Sequence, residues 1–303
     1  MRLSPGVLLL RFQRKFGHGL KVAYYRDVVR NQVLRSSAIP ETEDPVCEIH
    51  VLTSAGDWID LVWGLKSFYS ASGRLYSLSI HDDGSLRDFE VSTLKRHFPD
   101  ARIITRTESN RLMEKVLSRF PRSRAFREAN PLALKVFDFA AFLHSDRMLL
   151  LDSDILFFSE PTELVRRIED ASYIRNTLNK DWQFGYTLKP ASIQPMLDYE
   201  FQSHINSGLG LIHKSSIDLQ TIEDLLAVPG VIGHHHRIEQ TLIALYSCRF
   251  GFEFLPSEYD VRVDTGIPRL PCVHYTGPIR HLLYREGIRE LIRMGLLGRF
   301  KSN

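Results

Sequence analysis

The chain is predicted to be an α/β protein with a Rossmann-like, mostly parallel central sheet covered by helices on both faces, continuing into a mixed half. Three observations predict this. From about residue 46, strand patterns alternate with helical patterns, the arrangement that parallel crossovers require. The stretch "RMLLLDSDILFF" (147–158) is too apolar for a strand with one face in water. The 303 residues, 44% hydrophobic and 25% charged, suffice for a large core in one or two domains.

Residues 1–45 are expected to form a basic N-terminal arm, partly helical, that ends in the polar linker "SSAIPETEDP". "CEIHVLTS" predicts the first strand and 57–71 a helix. "LYSLSIHDDG" predicts a second strand, "SLRDFEVSTLKRHF" a helix and "ARIITRT" a third strand. Helical patterns fill 108–120 and 130–144 before the apolar strand 147–158, which closes a nucleotide-binding half over 46–158. An acceptor-side half is expected over 159–280. There "TELVRRIED" predicts a helix, "ASYIRN", "FGYTL" and "INSGLGLIH" predict strands, 218–228 and 236–248 predict helices, and "FEFLP" a last strand. Residues 281–303 are expected as a basic C-terminal helix.

The net charge of +3 is unevenly spread. Residues 1–35 hold eight Lys/Arg against one acid and 280–303 hold six against two, so basic ends flank an acidic body. That body, with no recognised module, argues against nucleic-acid binding. Apolar runs are far shorter than the ~20 residues of a membrane span, and the first residues lack a cleavage site, so no signal peptide is expected. Three separated cysteines suggest neither disulfides nor zinc. A cytoplasmic protein is expected. "RHLLYREGIRELIRMGLLGRF" has the pattern of a basic amphipathic helix at the inner face of a membrane. It equally describes a terminal helix packed on the core with a solvated arginine face.

Asp152 and Asp154 punctuate the apolar strand. A side-chain period of two sends both to one face and Ser153 to the other. Like charges so close raise each other's pKa unless a cation compensates. Carboxylate oxygens suit Mg²⁺ or Mn²⁺, and ligands of such sheets gather at the carboxyl ends of strands. Two chemistries share the pattern. In haloacid-dehalogenase-like phosphohydrolases the motif ends the first strand, with Thr or Val two places after the second Asp. Here three strands precede it and Leu156 holds that place, while the later acidic pair Asp260 and Asp264 lacks the usual preceding glycine.

The second chemistry is glycosyl transfer. "HINSGLGLIHK", "RIEQTLIAL", "LPSEYDV" and "VHYTGPIRH" follow the D-x-D in order. Together these resemble GT-A fold glycosyltransferases, most of all glycosyltransferase family 8, the glycogenin and lipopolysaccharide-galactosyltransferase group, over about 46–285. The resemblance implies a GT-A fold and transfer of a sugar from a nucleoside diphosphate sugar, with UDP expected, to a hydroxyl with retention of configuration. A catalytically inactive sugar-nucleotide-binding relative is a further reading. The acceptor, whether glycan, lipid-linked or protein, is not implied.

Residue by residue, the resemblance implies that Asp152, Asp154 and His274 coordinate Mn²⁺ (or Mg²⁺), with Ser153 between the carboxylates. Gly277 would let backbone approach the diphosphate, and Arg280 would stand in for the family's lysine. Asn206, Ser207 and Gly208 match the donor-sugar edge. Glu239 and Gln240 match an acid–Gln pair beside the anomeric carbon, where the family usually has Asp at the first place. "TSAGDW" matches a uridine-binding turn with Thr53, Ser54, Asp57 and Trp58, the last either stacking on the base or packing in the core. Lys135 matches a basic position near the donor. Outside these motifs, "HHHRIEQ" is expected as a polar loop tip. Trp182, Phe184 and Tyr186 alternate as if on one strand face.

Overall fold

The computed structural model describes residues 16–40, 46–264 and 270–300. Its strands are β1 (Glu48–Thr53), β2 (Ser77–Asp82), β3 (Arg102–Ile104), β4 (Arg147–Leu151), β5 (Ile155–Phe157), β6 (Asn176–Lys180), β7 (Ile205–His213), β8 (Phe252–Phe254) and β9 (Cys272–His274). Seven form a central sheet in the order β3-β2-β1-β4-β7-β6-β8, and β5 pairs with β9 in a two-stranded sheet. β7 lies antiparallel to both β4 and β6, whereas every other neighbouring pair in the large sheet is parallel. The sheet is therefore mostly parallel, as predicted.

The longer helices are α1 (Leu20–Asp27), α2 (Trp58–Ser72), α3 (Asp88–His97), α4 (Arg106–Val116), α5 (Pro121–Ala129), α6 (Ala133–Phe142), α7 (Thr162–Glu169), α8 (Leu219–Ala227) and α9 (Ile238–Phe250). Two apolar cores lie on opposite faces of the sheet. Leu149 and Leu151 of β4 enter one core, while Met148 and Leu150 enter the other. The strand's continuous hydrophobicity is thus the period-two pattern of a strand covered on both sides.

Local chemistry sets several boundaries. Gly73, at φ +64°, takes the left-handed conformation that ends α2. The Thr105 hydroxyl caps α4 by accepting the Glu108 N–H at 3.2 Å. The helix expected over 108–120 runs over 106–116, and Pro121 opens a further helix, α5, over 121–129.

Other expectations are corrected. "RMLLLDSDILFF" is not one strand: the chain turns at Asp152–Asp154, and β5 leaves the sheet to pair with β9. The two aspartates come together through that turn rather than through strand pleating. The strand expected at "ASYIRN" lies instead over Asn176–Lys180, and "FGYTL" is irregular. Consequently Trp182, Phe184 and Tyr186 share no strand face. Tyr186 is buried, with its hydroxyl accepting the Ile205 N–H at 2.7 Å and donating to the Gln202 carbonyl at 3.0 Å.

Residues 20–35, expected within an arm, are helical and bury Val29 and Val33 in the core; Ile39 follows them there. The C-terminal segment from Arg280 is helical, and Leu282, Leu283, Ile288, Leu291 and Leu296 are buried. Its apolar face is therefore occupied by protein, and Arg289, Arg293 and Arg299 are exposed. No helix among the described residues is long and apolar enough to cross a membrane.

Candidate metal and donor cleft

Asp152 and Asp154, two residues apart, meet the distant His274 where β4 and β9 end and the antiparallel β7 begins. The Asp152 N–H donates to the Gly208 carbonyl of β7 at 2.8 Å, and the Tyr275 N–H donates to the Asp154 carbonyl at 3.0 Å. Antiparallel pairing of β5 with β9 sets Ile155 opposite His274. Helix α2 supports this corner closely. A Cβ at Gly64 would lie 2.8 Å from the Ile155 carbonyl oxygen, and the Ser67 hydroxyl accepts the Phe157 N–H at 2.9 Å.

His274 Nε2 lies 3.1 Å from Asp154 Oδ1 and 3.8 Å from Asp152 Oδ2. Arg280 Nη2 reaches Asp154 Oδ2 at 2.6 Å, and its Nη1 reaches Asp57 Oδ1 at 3.3 Å. One guanidinium thereby ties the turn after β1 to the D-x-D. Burial favours neutral forms of both Asp154 and His274, but their mutual attraction prevails, with help from Arg280 on the acid. The Asp154 carboxyl is held below its ordinary range and the His274 imidazole above its own.

A second ion-pair set adjoins the first. Lys135 of α6 is buried, with Nζ 2.9 Å from Asp152 Oδ1, 3.0 Å from Glu239 Oε1 and 2.8 Å from the Ser207 carbonyl it donates to. Burial alone would push its pKa down, but Asp152 and Glu239 together carry it upward. Burial raises Glu239, which Lys135 only partly offsets. The Ser207 hydroxyl donates to Glu239 Oε2 at 3.1 Å. Glu239 lies in the first turn of α9, so this helix start is anchored beneath the strand ends.

The remaining expected residues fall in two places. Asn206, Ser207, Glu239, Gln240 and Gly277 line one open cleft of about 380 Å³ with Lys135, Asp152, Asp154 and His274. A Cβ at Gly208 would stand 2.2 Å from His274 Cε1, so the imidazole rests against bare backbone. A Cβ at Gly277 would meet nothing within 4 Å, leaving the space beside it open. Ser153 is buried within the turn. Thr53, Ser54, Asp57 and Trp58 do not line this cleft. Ser54 donates to Asp57 Oδ2 at 2.9 Å, Thr53 is buried, and Trp58 is only 6% exposed with Phe89 edge-on at 6.3 Å.

Three contributors escaped sequence reasoning. Asp181 accepts from Asn206 Nδ2 at 3.1 Å and from Gln240 Nε2 at 3.4 Å, joining two expected residues. Thr276 lines the cleft with a buried hydroxyl that has no partner among the described residues. Gly64 admits the turn itself. Only the place of Thr276 within "VHYTGPIRH", between His274 and Gly277, could have flagged any of them.

The donor set fits a divalent cation. One ligand atom each from Asp152, Asp154 and His274 lies within 4.8 Å of the others, the only such group of His, Cys, Asp and Glu among the described residues. Two hard carboxylates and an imidazole suit Mn²⁺ or Mg²⁺, the nitrogen inclining the set toward Mn²⁺. Asp260 and Asp264 do not join it, and none of His234, His235 and His236 does.

No family model and no curated protein matches the sequence. Solved structures do match the fold. The galactosyltransferase LgtC, in complex with donor and acceptor sugar analogs, superposes with a TM-score of 0.53 at 13% identity, covering 84% of this chain and 97% of its own. Mouse xyloside xylosyltransferase 1, apo form, gives 0.52 at 12%, covering 77% and 98%. The apo WbbM bifunctional glycosyltransferase gives 0.52 at 13%, covering 88% of this chain and 53% of its own. With six of seven sheet strands codirectional and an Asp-Asp-His cluster at their carboxyl end, the chain has the fold of the GT-A glycosyltransferases.

Proposed function

We propose that this protein is a divalent-metal-dependent glycosyltransferase that moves a sugar from a nucleoside diphosphate sugar, a UDP-sugar, to a hydroxyl acceptor with retention of configuration. The observation that carries the reading is the convergence of Asp152, Asp154 and His274 beside the Lys135–Glu239 pair, in one cleft at the strand ends. Such a cleft is where an open α/β sheet binds its ligand. A cation bound there would neutralise negative charge on the departing diphosphate.

The chain's own residues divide the remaining work. Asp152, Asp154 and His274 would hold the cation, and Arg280 fixes Asp154 while linking it to Asp57. Thr276 and the open side of Gly277 offer a hydroxyl and unhindered backbone to phosphate oxygens. Asp181, Asn206 and Gln240, already hydrogen-bonded to one another, orient sugar hydroxyls. In the transfer the bond from the anomeric carbon to the diphosphate oxygen breaks, its electron pair leaving with the diphosphate. The acceptor oxygen bonds to the anomeric carbon, and its proton passes to the departing diphosphate.

A thermal-shift panel of UDP- and GDP-sugars with and without Mn²⁺, followed by product analysis with candidate acceptors, tests this. Metal-dependent stabilisation by UDP-sugars and a product of retained configuration are expected. Stabilisation without turnover of donor or acceptor would instead favour an inactive sugar-nucleotide-binding protein. The phosphohydrolase reading is not favoured, because the third member of the cluster is an imidazole and no second acidic pair joins it.

A further inference from the structure

One cation that lines the cleft is not neutralised. Lys135 is shared by Asp152 and Glu239, and His274 by Asp154. Arg237 lines the cleft, is partly buried, and among the described residues its guanidinium makes no ion pair or hydrogen bond. His234 and His236 line the cleft beside it, their rings 6.2 Å apart. Trp182, 45% exposed, lines the same cleft. The remaining acid of this lining, Asp181, is engaged by the amides of Asn206 and Gln240.

The two segments that carry these groups are fixed to each other and to the body. Asn130 Nδ2 donates to the His235 carbonyl at 2.7 Å, holding the histidine turn. Thr241 Oγ1 of α9 accepts the Thr187 N–H at 2.9 Å, holding the segment after Trp182. A Cβ at Gly185 would stand 2.1 Å from Gln240 Nε2, so the segments also touch directly. A partly desolvated guanidinium with no counter-charge is poorly placed unless an anion completes it. An exposed indole in the same cleft offers a sugar ring an apolar platform.

We infer that the acceptor is an anionic sugar, its ring on Trp182 and its phosphate or carboxylate on Arg237, His234 and His236. This rests on the proposed function and specifies the acceptor class for the same cleft. Arginine grips either anion bidentately, so the shared chemistry is a planar or tetrahedral oxyanion on a sugar.

The test titrates the full chain with glucose 6-phosphate, methyl glucuronide and uncharged methyl glucoside, read by saturation-transfer NMR, with UDP plus Mn²⁺ as a separate arm. At least one charged sugar should bind about ten-fold more tightly than methyl glucoside, as one charge-assisted contact provides. Whichever charged sugar binds more tightly names the source of the anion. Arg237→Gln should abolish that preference and Arg237→Lys should retain part of it. Trp182→Ala should weaken all three sugars but leave inorganic phosphate binding unchanged. Equal binding of charged and neutral sugars, or a preference that survives Arg237→Gln, overturns the inference. UDP–Mn²⁺ binding without charge preference sinks the acceptor inference alone, whereas charge preference without UDP–Mn²⁺ binding sinks the donor reading instead.

Discussion

Asp152 and Glu239 share the ammonium of Lys135, which lies 2.9 Å from one carboxylate and 3.0 Å from the other. The three groups come from the turn after β4, the start of α9 and the first turn of α6, so the pair set ties these three elements together. Removing the cation strands a buried Glu239, and breaking a buried pair in this way costs about 3–5 kcal/mol. Lys135→Met should therefore lose about that much stability in urea unfolding. Adding Glu239→Gln should restore most of it, since no buried charge is then left unpaired. Strictly additive losses in the double variant would show that the two residues do not interact.

Asp154 accepts from both His274 and Arg280, so its carboxylate is at once an expected metal ligand and the brace of two cations. Asp154→Ala should abolish Mn²⁺-dependent donor turnover and weaken Mn²⁺ binding by more than about ten-fold. Electron paramagnetic resonance of free Mn²⁺ reads the affinity without requiring turnover. Unchanged Mn²⁺ affinity would remove Asp154 from the site.

Gly64 sits inside α2, where alanine ordinarily stabilises a helix by about 1 kcal/mol. Here a Cβ would lie 2.8 Å from the Ile155 carbonyl oxygen, a backbone atom of the corner that carries the D-x-D. Overpacking of that kind costs about 1–3 kcal/mol. Gly64→Ala should lower the melting temperature and weaken Mn²⁺ binding together, because β5 must shift. A stabilised variant with unaltered Mn²⁺ binding would contradict the close approach.

The sequence was legible wherever a pattern repeats locally. Alternating strands and helices predicted the mostly parallel sheet, and the apolar run at 147–158 predicted a doubly covered strand, which its first part, Arg147–Leu151, forms. The Asp-Asp-His group was legible only through family motifs, since His274 reaches Asp154 by pairing of β5 with β9 across more than a hundred residues. Periodicity cannot report such a pairing. It also misplaced the faces of Asp152 and Asp154, because a three-residue turn looks like strand when its flanks are apolar. Asp181 was invisible for a related reason: its role is set by the amides it accepts from, Asn206 and Gln240, and neither is near it in sequence.

Lys66 provides a pH test of the scaffold away from the cleft. It lies on α2 with no exposed surface, donating to the Ser37 carbonyl, with its ammonium 4.5 Å from the Phe300 ring centroid. Among the described residues no carboxylate pairs with it, and burial pushes its pKa down from 10.5 to about 7. Between pH 7 and 10.5 the unfolded chain therefore binds a proton at this site that the folded chain does not. Stability contributed by this group rises with pH across that window, at most by about 1.4 kcal/mol per pH unit, and is flat below it. Lys66→Met removes the charge while keeping the length of the chain. Relative to wild type, Lys66→Met should be most stabilised at or below pH 7, with the advantage shrinking as pH rises toward 9, measured by urea midpoints in matched buffers. Buried Cys47 and Cys272, whose thiols burial pushes upward, oppose the trend above their ordinary range, but they are common to both proteins and cancel in the difference. A difference that stays constant from pH 6 to pH 9 would mean that Lys66 keeps its ordinary pKa in the folded chain.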